Sequence, residues 1–88
     1  MTQFTLDDLR ECMLLAVGYD ESIDLEQDIL DEPMGDLGFD SLAVMNVARE
    51  IEARYPVKVP DESLDETMAT PRRTLEYING LLKEDVAA

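Results

Sequence analysis

The chain has no histidine and no tryptophan, a single cysteine, and only 7 lysines and arginines against 21 aspartates and glutamates. Without histidine, a Ser-His-Asp triad, imidazole general-base catalysis and histidine-based metal sites are all excluded. With Cys12 alone, neither an internal disulfide nor a cysteine-rich metal site can form. Its place beside the apolar stripe of the first predicted helix reads as a buried thiol. No apolar run approaches the roughly 18 residues of a membrane span, and no basic stretch leads into an apolar signal core behind the early acids Asp7 and Asp8. A soluble cytoplasmic protein is expected.

What is present is acid and a modest apolar content. Eighty-eight residues, 45% of them hydrophobic, suit one small domain over 1–88, which at this length buries only about 60 to 65% of its unfolded surface. The net charge of −14 repels polyanions, so neither nucleic acid nor an anionic membrane is an expected partner, whereas basic protein surfaces are.

Periodicity predicts an all-α protein. Leu6, Leu9, Met13, Ala16 and Val17 recur at helical spacing, with Thr5 as N-cap, Asp8 as a shortened capping-box acid and Gly18 as terminator, so helix one is expected over 6–17. From residue 19 to 40 no period is sustained. Pro33, Gly35 and Gly38 break a long acidic loop whose Ile23, Leu25, Ile29, Leu30, Met34 and Leu37 should pack onto the core. A second helix is expected over Ser41–Arg54, capped by Asp40, with Leu42, Met45, Ala48 and Ile51 on one face and Val44 and Val47 widening it. Tyr55-Pro56 stops it. Val57 and Val59 form a short extended piece, Pro60 opens a brief helical turn through Leu64 and Met68, and Thr70-Pro71 begins a last helix with Leu75, Ile78, Leu81, Leu82 and, in its last turn, Lys83. The expected architecture is a small up-and-down bundle of three main helices plus one short one.

The chemistry lies in the segment Leu37-Gly38-Phe39-Asp40-Ser41-Leu42, which sets a serine where a helix begins. Free backbone N–H groups and the helix dipole there favour a phosphate ester. A Ser-Lys pair would need Lys58 or Lys83, and no oxyanion site is recognisable, so no catalytic residue is assigned. Starting at Asp20, Asp24 or Asp28, the loop never delivers the alternating oxygen ligands, sixth glycine and twelfth glutamate of a calcium loop, so no metal site is assigned either. What remains is a serine that another enzyme modifies.

On the Gly38-Phe39-Asp40-Ser41-Leu42 motif, the long loop before it, the helix spacing after it and the acidic bias, the chain resembles the acyl carrier protein family over nearly its whole length. The resemblance implies that Ser41 carries 4'-phosphopantetheine, transferred from coenzyme A by a phosphopantetheinyl transferase. It further implies that Asp40 helps to organise a magnesium ion during that transfer, beside its simpler role as cap. Leu42 is either a core residue or an exposed contact for the transferase or a synthase. Phe39 stands where peptidyl carriers place a glycine, and Ala43 where fatty-acid carriers place an acid. With Glu50-Ile51-Glu52-Ala53-Arg54-Tyr55-Pro56 and Thr70-Pro71-Arg72-Arg73, these features resemble the discrete carriers of type II, aromatic polyketide synthases. The implied partners are malonyl acyltransferase, the ketosynthase and chain-length factor pair, and a tailoring reductase or cyclase, all meeting a monomer. Because Arg49 and Arg54 balance Glu50 and Glu52, docking charge is expected from Asp31, Glu32, Asp36 and Asp40, with Val44 and Met45 as apolar contacts. A fatty-acid carrier is the alternative within the family, and an acidic adaptor that binds a basic partner by charge alone is the alternative outside it.

Arg72 and Arg73 occupy the first turn of the last helix, where cations oppose the dipole by about 0.3 to 1 kcal/mol each. One of them is expected to reach a carboxylate or loop carbonyl and tie that helix to the bundle. For the chain as a whole, self-repulsion among the acids should oppose folding, so added salt or a divalent cation is expected to raise the melting temperature. A thermal scan indifferent to ionic strength would contradict this.

Overall fold

The computed structural model describes residues 3–18, 25 and 28–87, with side chains described as far as residue 83. Among these residues there are four α-helices: α1 (Leu6–Ala16), α2 (Ser41–Arg54), the short α3 (Leu64–Thr67) and α4 (Pro71–Ala87). A 3-10 turn over Met34–Leu37 precedes α2, and another over Asp61–Ser63 leads into α3.

Local chemistry explains where the helices start. At α1 the Thr5 hydroxyl accepts the Asp8 N–H at 3.2 Å while the Asp8 carboxylate accepts the Thr5 N–H at 3.0 Å, a complete capping box. Helix α1 ends one residue earlier than predicted, with Val17 as its cap and Gly18 beyond it at φ 65°. At α4 the Thr70 hydroxyl accepts the Arg73 N–H at 3.2 Å and Pro71 takes the first helical position. Because α4 runs on to Ala87, Lys83 is not in its last turn as predicted.

The core draws on every segment. Leu9, Cys12 and Met13 of α1 face Val47, Ala48 and Ile51 of α2, and Leu64, Met68, Ile78 and Leu82 close the other side. Leu25, Ile29, Met34, Leu37 and Phe39 bring the long loop onto the same core, as expected; Ile23 lies outside the described residues. One predicted face requires correction. Leu42, Met45, Ala48 and Ile51 are three residues apart, and steps of three drift by about 60° each on a 3.6-residue helix. The buried stripe is Val47, Ala48 and Ile51, leaving Val44 and Met45 both half-buried at its margin and Leu42 65% exposed.

Polar ties fasten the chain between helices. The Asn79 carboxamide accepts the Phe4 N–H at 2.8 Å and donates to the Phe4 carbonyl at 2.9 Å, and the Phe4 ring meets Tyr55 edge-on at 5.1 Å. Buried Thr74 donates its hydroxyl to the Thr70 carbonyl. The Arg10 side chain donates to the Leu25 carbonyl at 2.7 Å. The cations at the start of α4 make the ties expected of them: Arg72 holds both oxygens of Asp31 at 2.7 and 3.2 Å, and Arg73 donates to the Glu66 carbonyl at 3.3 Å.

The Asn79 pair closes the N-terminal segment onto α4 and satisfies two main-chain groups at once. Asn79→Ala would leave both without a partner in a partly buried setting and is expected to cost about 1 to 3 kcal/mol. Urea unfolding of the variant checks this, and a midpoint equal to that of the parent would refute it.

Candidate functional site

The segment before α2 turns and then extends. In the Met34–Leu37 turn the Gly38 N–H donates to the Gly35 carbonyl at 3.1 Å, and Gly38 takes the left-handed φ of 93° that a side chain would resist. The Phe39 N–H returns to the Met34 carbonyl at 3.0 Å. Asp40 is extended, at φ −81° and ψ −177°, so neighbouring side chains point opposite ways: Phe39 is buried and Asp40 is exposed.

Asp40 is the cap predicted for α2. Its carboxylate accepts the Ala43 N–H at 2.8 Å, and its carbonyl accepts the Val44 N–H at 2.9 Å. Phe39 and Val44 occupy the two positions of a hydrophobic staple around that cap and line one cleft. Ser41, the first residue of α2, is exposed beside it. The first turn of a helix leaves backbone N–H groups without intrahelical acceptors, so the Ser41 hydroxyl sits at an end suited to an anion.

The cleft next to Ser41 has a volume of about 390 Å³. Asp40, Ser41, Val44 and Met45 form one wall, Pro33, Met34 and Gly35 a second, and Leu64, Asp65, Met68 and Ala69 a third, with Asp61 at the edge. Four of the predicted site residues, Asp40, Ser41, Val44 and Met45, are thus brought together. Leu42 points away on the outer face of α2. Asp36 and Glu32 are exposed nearby in sequence, but Asp31 differs from the expectation of a free docking charge, because Arg72 already holds both its oxygens. That guanidinium keeps the Asp31 carboxyl below the usual aspartate range.

The third wall was missed from sequence. Leu64 and Met68 stand at i, i+4 among Asp61, Glu62, Asp65 and Glu66, a short amphipathic turn whose apolar side had to face something. Asp61 is bound by Arg49 through two bonds of 2.8 and 3.0 Å, and Glu52 accepts the Val59 N–H at 2.7 Å. These contacts internally engage much of the charge on α2.

Cys12 lies in the core, where burial pushes its thiol up and keeps it protonated. Among the described residues no group of His, Cys, Asp and Glu side chains is arranged to hold a metal ion, and no helix is long and apolar enough to cross a membrane. The serine therefore has a groove beside it and acids around it, with no histidine to activate it.

A helical protein that presents an exposed hydroxyl at a helix start beside a groove has the features expected of a carrier. The family model described as the phosphopantetheine attachment site matches residues 7–78. The actinorhodin polyketide synthase acyl carrier protein of Streptomyces coelicolor is 42% identical over 83 residues, covering 94% of this chain and 95% of that protein. The granaticin polyketide synthase acyl carrier protein of Streptomyces violaceoruber is 40% identical over 84 residues, covering 96% and 98%. The solution structure of the 3,7-dioxo-octyl actinorhodin acyl carrier protein of Streptomyces coelicolor matches with a TM-score of 0.84 at 42% identity, covering 96% of each chain. This chain belongs to the acyl carrier protein family: it is a non-catalytic carrier with a phosphopantetheine attachment site, close to the carriers of type II aromatic polyketide synthases.

The Asp40 cap holds the start of α2 whether or not Ser41 is modified. Asp40→Ala is expected to cost about 0.5 to 2 kcal/mol, and Asp40→Asn much less, because the amide oxygen can still accept the Ala43 N–H. Urea unfolding of the two variants should show that order; equal losses would show that the cap bond is not what matters.

Proposed function

We propose that Ser41 is the attachment point and that the chain carries polyketide intermediates as thioesters between the enzymes of a type II synthase. The observation that carries this is the exposed Ser41 hydroxyl at the first position of α2, beside a cleft with apolar walls. In the transfer, Ser41 Oγ forms a bond to a phosphorus of the coenzyme A pyrophosphate as the bridging bond to the nucleotide breaks, and the serine proton passes to a base on the transferase. The product is a phosphodiester at a helix N-terminus, where the negative charge gains about 0.3 to 1 kcal/mol. When bound, the 4'-phosphopantetheine arm supplies a terminal thiol that holds an acyl group as a thioester.

This chain's own residues fit the group. Asp40 stands next to the reacting oxygen and is solvent-facing, so it can share a magnesium ion with the incoming phosphates while still capping α2. Leu42, 65% exposed, offers the phosphopantetheinyl transferase and later enzymes an apolar contact. Glu32, Asp36 and Asp40 present charge to basic surfaces of the malonyl acyltransferase, the ketosynthase and chain-length factor, and a tailoring reductase or cyclase; Val44 and Met45 present apolar surface. The carrier works as a cytoplasmic monomer. The likeness to polyketide carriers favours this reading over a fatty-acid carrier, and the family membership favours it over a charge-only adaptor.

Incubation with coenzyme A, magnesium and a promiscuous transferase is expected to add the mass of one phosphopantetheine to the parent chain and nothing to Ser41→Ala. Labelling that persists in Ser41→Ala, or fails on the folded parent, would overturn the assignment. Chain extension by a polyketide ketosynthase, with no turnover by the fatty-acid enzyme, is the result expected of the loaded protein.

A further inference from the structure

Two of the three walls of the cleft are too short to hold their own position. The loop wall is a four-residue 3-10 turn, Met34–Leu37, and the opposite wall is the four-residue α3. Neither length sustains an isolated helix. By contrast, the wall supplied by α2 is anchored by Val47 and Ile51, which are wholly buried.

The short walls are fastened to each other and to a single place. The Met34 N–H donates to the Ala69 carbonyl at 3.1 Å, joining the two walls directly, since both residues line the cleft. Just behind, the Arg72 N–H donates to the Leu30 carbonyl at 2.9 Å, and the Arg72 guanidinium grips both oxygens of the next residue, Asp31. Arg73 holds the other wall through the Glu66 carbonyl. Ala69 lies two residues before α4, and the Arg72 and Arg73 ties converge on the first turn of that helix. That is where cations are least favoured by the helix dipole, so their position has a structural cause.

We propose that Asp31 and Arg72 act as positioning residues for the cleft: their ion pair seats the loop lip around Met34 against Ala69 and so sets the width of the groove next to Ser41. The pair is exposed on both sides, at 75% for the Asp31 side chain and 52% for Arg72. An exposed pair adds little to global stability, but it can bias a local opening. Its release would free the lip without unfolding α1 or α2. Salt then acts in opposite directions on the molecule, steadying the fold against its acidic self-repulsion while loosening the lip. The seating of the lip does not depend on Ser41 being modified, so it can be tested apart from the carrier function.

The test is amide hydrogen exchange on the unmodified protein, followed by NMR at Met34 and, as the global reference, at Ile51. Asp31→Asn and Arg72→Gln are each expected to speed exchange at Met34 by roughly threefold while leaving Ile51 unchanged. The charge-reversed double variant, Asp31→Arg with Arg72→Asp, should bring Met34 back toward the parent rate. In the parent, raising the salt concentration should speed Met34 exchange even as it slows exchange at Ile51. Unchanged Met34 rates in the single variants, an equal rise at Met34 and Ile51, or a double variant no better than the singles would each overturn the proposal.

Discussion

Phe39 is 2% exposed and sits two positions before an exposed serine, and the organisation of the functional end follows from that placement. A buried aromatic at the residue before the cap fixes how the chain enters α2. The Asp40 bond to the Ala43 N–H then fixes where the helix begins. With those two points set, the helical turn that follows leaves Ser41 facing solvent and brings half-buried Val44 to the cleft beside Phe39. Gly38 makes the geometry possible, because the chain must reverse through a left-handed conformation to bring Phe39 under the turn.

The charge of this carrier is distributed by pairing as much as by composition. Arg49 neutralises Asp61 and approaches Glu52, Arg72 neutralises Asp31, and Arg10 pairs with Asp7. Such exposed pairs are each weak, but they decide which acids remain for a partner. Asp36, Glu62 and Asp65 are exposed without an ion pair among the described residues, so the negative field around Ser41 comes from the loop and the α3 side more than from α2 itself. A basic enzyme surface would meet acids on both flanks of the serine and the nearly neutral, partly apolar face of α2 between them.

Much of this was legible in the residues. Thr5 with Asp8, Asp40 before Ser41, and Thr70 with Pro71 are local signals whose physics acts within one helical turn, and each marks a helix start in the structure. The loop's apolar residues announced that it packs, and Leu25, Ile29, Met34 and Leu37 do. On the predicted face of α2, Ala48, Ile51 and the flanking Val47 are buried, and Leu42 alone was misplaced, because successive steps of three residues drift off the core. The cleft was not legible at all: its walls come from three segments, and Met34 meets Ala69 through main-chain atoms that carry no sequence signature. The carboxamide of Asn79 was likewise silent, because its partner Phe4 lies 75 residues away.

By itself, then, the sequence determined what depends on near neighbours: an all-helical chain, the position of its caps, the exclusion of histidine chemistry, and a hydroxyl at the start of α2 in a motif shared with acyl carriers. Only the tertiary structure decided that Leu42 faces outward, that Asp31 is engaged by Arg72, and that a groove opens beside Ser41. The division has a physical cause. Capping and periodicity are set by interactions three or four residues long, whereas the groove and the ion pair behind it exist only once segments distant in the chain have been packed against one another.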